Sequence, residues 1–195
     1  MKIGRLVTAG LGVALLSIVI SGCGTAKTTG QPVLSTTPIT QVQSGYINGF
    51  SFSYPKNWSA VQPVAQQKNS ASSSYAYGPV QVTVQNFPSL VASSAIYPPI
   101  SLSSILPELN SDLSKLVSPI SLLVPGTPVT IDQAPGITYN LSSPTTAGLV
   151  ATGFTGQNQF LIVCKWSPAF AKVGLNGCDD IITTIAVYQN YLGGL

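Results

Sequence analysis

Histidine is absent from the 195-residue chain, which excludes Ser-His-Asp and Cys-His catalysis and any imidazole-ligated metal. One serine stands at a spacing that a lysine can activate, in Ser53-Tyr54-Pro55-Lys56. That serine falls on a predicted strand and its lysine follows a proline, whereas such chemistry is built at the start of a helix. The pair therefore reads as a strand serine and a surface lysine. Asp179, Asp180 and Asp132 offer hard oxygens of the kind calcium takes. Negative charge at a helix start accounts for the adjacent pair more simply, and no metal or cofactor is expected. Phe50, Phe52, Tyr54, Trp58, Phe160 and Trp166 suit either a lipid or glycan pocket or a packed core, and core is the expectation. Tyr75 and Tyr77, set among Ser and Gly, are expected to be exposed. Together with Trp58 they are the candidate contacts to a partner or ligand. No residue receives a catalytic role, so the chain reads as a non-enzyme.

The cysteines carry more specific chemistry. Lys2 and Arg5 precede an apolar run from Leu6 to Ile20, broken by Thr8, Gly10, Gly12 and Ser17 and closed by small residues. At about 15 residues the run is short of the roughly 20 that a membrane span needs. It ends in Ile20-Ser21-Gly22-Cys23, which resembles the lipobox of bacterial lipoproteins. The resemblance implies a signal peptide over residues 1–22 and a diacylglycerol thioether on Cys23, which then becomes the N-terminus. Two acyl chains hold a protein to a membrane stably where one is marginal. With Cys23 used in this way, Cys164 and Cys178 remain as a disulfide pair in an oxidising compartment. Closing a loop of that length contributes about 3 kcal/mol.

Charged residues make up 7% of the chain, far below the roughly 25% of an ordinary soluble domain. From Tyr46 onward Lys56, Lys68, Lys115, Lys165 and Lys172 balance Glu108, Asp112, Asp132, Asp179 and Asp180, so the net charge is zero. Nucleic-acid binding lacks its electrostatic term. Few carboxylates suit an acidic exterior, with compositional drift in a surface-exposed lipoprotein as the equal alternative; cooperative unfolding between about pH 4 and 3 would remove the first reading. Residues 23–45, rich in Thr, Gln, Ser, Gly and Pro, read as a flexible tether, and residues 46–195 as one domain.

Within that domain Phe50, Phe52 and Tyr54 alternate with serines as in a half-buried strand, preceded by the turn dipeptide Asn48-Gly49 and stopped by Pro55. Val80, Val82 and Val84 give a second strand. Leu102, Ile105, Leu109, Leu113, Leu116 and Val117 fall on one helical stripe, with Ser104 as N-cap, Pro107 in the first turn and Pro119 as the stop. After a turn at Ala134-Pro135-Gly136, Ile137, Tyr139 and Leu141 alternate. Residues 148–154 and 159–166 form a hairpin whose second arm is apolar on both faces and so needs cover on both. That cover comes from the first helix and from a last helix near 179–190, whose first turn holds Asp179 and Asp180.

The opening Gly49-Phe50-Ser51-Phe52-Ser53-Tyr54-Pro55-Lys56-Asn57-Trp58 is similar to the Gly-aromatic-x-aromatic-x-Tyr-Pro-x-x-Trp start of PsbP-like domains, including lipoproteins of the mycobacterial LpqN type. The resemblance spans about residues 46–190. It implies an α+β fold, a central antiparallel sheet with helices on both faces, in an α/β/α sandwich. It also implies an accessory or scaffold module, lipid-anchored on the extracytoplasmic face of a cell membrane and contacting an envelope protein. A carrier holding a small apolar ligand between sheet and helices is the alternative. The charge-poor surface departs from photosynthetic members, so an oxygen-evolving role is not implied.

Overall fold

The computed structural model describes residues 41–47, 49–62, 70–88, 102–155 and 158–187; the leader and Cys23 lie outside them. Seven strands form one antiparallel sheet: Ser59–Val61 (β3), Ala71–Tyr77 (β4), Val80–Pro88 (β5), Ser121–Ile131 (β6), Ala134–Ser142 (β7), Ala147–Thr155 (β8) and Asn158–Trp166 (β9). Their order is β3-β4-β5-β9-β8-β7-β6. A smaller sheet, β1-β2-β10, joins Val42–Ile47 (β1), Phe50–Pro55 (β2) and Ala186–Val187 (β10). Strand β1 begins at Val42, inside the stretch read as tether. Helix Leu102–Val117 (α1) covers one face of the large sheet and Ala171–Thr184 (α2) the other, as expected for the α+β sandwich.

Alternation on β9 explains why both covers are needed. Phe160, Ile162, Cys164 and Trp166 pack toward α2, β2 and Trp58, while Leu161 and Val163 pack toward α1. Both rows are buried. On the α1 side, Ile105, Leu109, Leu113 and Val117 recur at helical spacing and meet Ile137, Tyr139, Leu141 and Val150. α1 starts at Leu102 instead of after Ser104, so Pro107 sits in the second turn, where it removes one backbone hydrogen bond. Several of the polar groups inside are matched. Gln159 donates from Nε2 to the Thr152 hydroxyl at 2.8 Å, and that hydroxyl donates to the Phe160 carbonyl at 2.8 Å. The Tyr139 hydroxyl has no partner among the described residues, and burial pushes its phenol up to about 12.

Two boundaries differ from expectation. The β6–β7 turn is Asp132-Gln133, with φ of 46° and 66°, and Pro135 and Gly136 belong to β7. Positive φ at both central residues fits the right-handed twist of a two-residue hairpin, and Asp tolerates that region. The Asp132 carboxylate accepts the Val187 N–H at 2.6 Å, tying β10 to this turn.

The last helix lies at Ala171–Thr184, not near 179–190. Gly174 and Gly177 disfavour helix, yet they are the points where α2 meets two indole rings. A Cβ on Gly177 would lie 2.3 Å from the Trp58 ring, and one on Gly174 would lie 2.5 Å from the Trp166 ring. Next to Gly177, Cys178 is bonded to Cys164 of β9, with Cα atoms 6.0 Å apart and a sequence separation of 14. At its far end the Thr184 hydroxyl accepts the Ser53 N–H at 2.8 Å, clipping β2 to the helix.

Gly177→Ala should destabilise the domain by about 1–3 kcal/mol, because overpacking against Trp58 outweighs the gain in helix propensity. Exposed Leu175→Ala on the same helix should change stability by no more than about 0.5 kcal/mol. Urea midpoints measure both, and equal midpoints would remove the close-packing argument. Replacing Cys164 and Cys178 together by Ala should lower the unfolding free energy by about 3 kcal/mol, an effect that reductant reproduces in the parent chain.

Candidate functional site

The serine-lysine spacing does not build a catalytic pair. Ser53 lies on β2 opposite Ser44, and its N–H is held by Thr184. Lys56 lies in the exposed turn after Pro55, its N–H donating to the Gln41 carbonyl at 2.7 Å. No hydrogen bond joins the two side chains among the described residues. The three aspartates are separated in role as well. Asp132 lies in the β6–β7 turn and holds the Val187 N–H, and Asp179 and Asp180 sit in the middle of α2, not in its first turn. Their backbone carbonyls accept the Thr183 and Thr184 hydroxyls one turn later. Among the described residues no three of His, Cys, Asp and Glu are grouped to hold a metal. Burial, reinforced by Asp179, raises the Asp180 carboxyl above the ordinary carboxylate range.

The aromatic candidates resolve differently from one another. Trp58 is 2% exposed with its ring against Gly177, which corrects the expectation that it contacts a partner or ligand: it folds back onto the aromatic strand and joins the core. Tyr75 is 6% exposed, which corrects the expectation that it stands free at the surface. The reason is period two. Along Ser73-Ser74-Tyr75-Ala76-Tyr77 the odd positions face β2, so Tyr75 enters the core while Ser74 faces the opposite side. Its ring centroid lies 3.9 Å from that of Tyr54 and 5.8 Å from that of Phe52. Burial raises the Tyr75 phenol, Tyr54 adds to the rise, and a hydrogen bond from Ser73 opposes it. Tyr77 is half-buried beside the same cluster. These side chains, with Phe50 and Phe160 at 5.5 Å between centroids, fill the space between β2, α2 and the large sheet.

What the sequence did not single out is the distribution of exposed apolar side chains. Val42 and Tyr46 lie on β1, Val61 on β3, and Leu123 and Val124 on β6. All three strands are edges, β1 of the small sheet and β3 and β6 of the large one. Val124 is 58% exposed, in a segment where the β6–β7 register shifts between Leu123 and Thr127. The only sequence signal was Leu122-Leu123-Val124-Pro125, an apolar run that a buried strand would also show.

The molecule is thus an antiparallel sheet sandwiched by two helices and extended by a small sheet at the aromatic motif. No family model and no curated protein matches the sequence. Among solved structures, cyanobacterial PsbP (CyanoP) from Synechocystis sp. PCC 6803 aligns with a TM-score of 0.56 at 10% identity, over 79% of this chain and 96% of that one. LpqN of Mycobacterium tuberculosis, described as involved in cell envelope biogenesis, aligns at a TM-score of 0.44 with 7% identity, over 76% and 91% of the two chains. A Bacteroides thetaiotaomicron protein aligns at 0.38 with 13% identity, over 71% and 45%. The similarity to the cyanobacterial protein establishes a PsbP-like fold.

The raised Asp180 carboxyl gives a pH dependence of definite sign. A carboxyl whose folded pKa exceeds its unfolded value contributes stability that is complete below the unfolded value of 3.8 and is lost as pH rises through the folded pKa. Asp180→Asn should therefore melt higher than the parent chain at pH 7, and the two should converge at about pH 3. Differential scanning calorimetry across that range checks the prediction, and a gap that is constant with pH would contradict it.

Proposed function

We propose that this chain is a non-catalytic lipoprotein, anchored through Cys23 to the extracytoplasmic face of a cell membrane, that serves as an accessory or scaffold module through protein contacts. The observation that carries the contact reading is a filled interior beneath apolar edges. At Gly174 and Gly177 the aromatic core leaves no room for one added carbon, while Val42, Tyr46, Val61, Leu123 and Val124 are displayed outward. A carrier needs a concave site of several hundred cubic ångströms. A contact module needs apolar side chains outside, which is the pattern here.

The anchor reading rests on the lipobox-like Ile20-Ser21-Gly22-Cys23 and on the buried Cys164–Cys178 disulfide, which belongs in an oxidising compartment. No helix among the described residues is long and apolar enough to cross a membrane. If Cys23 is the attachment point, then residues 24–41 lie between the acyl chains and β1, and both ends of the large sheet can meet neighbouring envelope proteins.

A photo-cross-linking side chain at position 124 of the full chain, activated in native membranes, should yield one dominant protein adduct. The same group at exposed Asn176 on α2 should not. Val124→Asp should abolish a cross-link placed at 123, and mass spectrometry of the recovered protein should find a diacylglyceryl-modified Cys23 at its N-terminus. Equal labelling from positions 124 and 176 would overturn the contact reading, and an unmodified Cys23 would overturn the anchor separately.

A further inference from the structure

Strand β9 carries one lysine, Lys165, and the sheet register sets it directly opposite Gln81 of β5 and Gly148 of β8. Cys164 and Trp166 face α2, so alternation turns Lys165 to the α1 face. The next residues along that row and the one beside it are Ala76, Ser74 and Thr83, the last two sharing a hydrogen bond of 2.7 Å between hydroxyls. This end of the face differs chemically from the rest. Leu141, Val150 and Leu161 pack with α1, whereas β4 and β5 present hydroxyls and an amide. Ala76, Gln81 and Lys165 are half-buried, so the row is walled yet reachable from solvent. On the β8 side its neighbour is Gly148, where the Leu141 side chain comes within 3.3 Å of the position a Cβ would take.

The ammonium has no counter-charge among the described residues, whose single ion pair is Lys115–Asp112 on α1. Burial lowers the Lys165 pKa from its ordinary value, so the placement works against the charge. A lysine stem packs well over apolar surface and carries its head group out to water. That accounts for the methylenes, and it leaves unexplained why a lysine stands in register with Gln81 and Gly148 in a domain that otherwise economises on charge.

We propose that Gln81 and Lys165, with Ala76 beside them, form a subsite for a single carboxylate, as found on a sugar acid or a peptide terminus. The ammonium pairs with one carboxylate oxygen, the Gln81 amide donates to the other, and the short Ala76 side chain leaves room for it. One cation matches one negative charge. No second lysine and no arginine stands on β4, β5, β8 or β9, so a phosphate dianion lacks the partners it needs. This site is independent of the apolar edges and of the anchor.

The test uses the full chain with its lysines reductively ¹³C-methylated, followed by NMR during titration with acetate, glucuronate, N-acetylalanine and inorganic phosphate. The Lys165 signal should move saturably with the three carboxylates, while the signals of exposed Lys56 and Lys172 drift linearly. Gln81→Leu should weaken the response at least threefold, and Lys165→Met should remove saturable binding while melting no lower than the parent chain. Tighter binding of glucuronate than of N-acetylalanine would assign the ligand as a sugar acid, and the reverse order as a peptide terminus. Lys165 drifting in step with Lys56 and Lys172, or phosphate binding more tightly than every carboxylate, would overturn the proposal.

Discussion

The close approach of α2 to the tryptophans is the contact on which the rest of this fold depends. Gly174 and Gly177 bring the helix backbone against the Trp166 and Trp58 rings, and the Cys164–Cys178 bond lies one residue beyond the second of those contacts along the helix. Trp166 and Cys164 belong to β9, at the middle of the large sheet, while Trp58 follows β2 of the small one. One helix therefore fastens both sheets at a spacing that a single methyl group would spoil. The Thr184 clip to Ser53 and the Asp132 clip to Val187 then hold the ends of that joint. In an interior where packing is dense, a contact of this kind fixes orientation as well as distance.

This joint also decides what the interior can do. Phe52, Tyr54 and Tyr75 are pressed together because β2 is drawn down onto the sheet. The α1 face of the large sheet is itself uneven, apolar toward β7 and β8 and polar toward β4 and β5. The asymmetry of that face is written into β5. Val80, Val82 and Val84 point to α2, and Gln81, Thr83 and Gln85 point to the other side, so one strand separates an apolar layer from a polar one.

Much of this was legible from periodicity. The alternations Phe50-Phe52-Tyr54, Val80-Val82-Val84 and Ile137-Tyr139-Leu141 gave strands and inward faces, and the doubly apolar run at residues 160–166 required a helix on each side. What failed was local propensity where tertiary contact overrides it. Gly174 and Gly177 lie ahead of the helix expected near 179–190; a glycine weakens an isolated helix, and the indole rings explain why this one keeps both. Asp132-Gln133 lacked the glycine that usually marks a tight hairpin, so the turn was placed three residues late at Pro135. Tyr75 was misread because serine neighbours resemble a loop, although Tyr75 and Tyr77 already alternate. The half-buried Lys165 was invisible for a different reason: its strand identity was clear, but which face it takes, and that Gly148 stands opposite, depend on register.

The edges limit the kind of contact this domain can make. Asp132 and Gln133 form a two-residue turn, so Ile131 and Ala134 are the hydrogen-bonded pair that closes the hairpin. Counting back along the antiparallel ladder, Val129 and Gly136 are hydrogen-bonded and Pro128 and Ile137 are not, so the backbone of Pro128 faces the open side of β6. Proline has no N–H to offer there, and the register shift between Leu123 and Thr127 breaks the line further. An incoming strand therefore cannot extend the sheet along β6, which protects the domain from edge-to-edge aggregation. Leu123 and Val124 remain outward through the same irregularity. A partner at this edge must meet side chains, and with no charge on β6 to steer it, recognition there rests on shape and apolar burial.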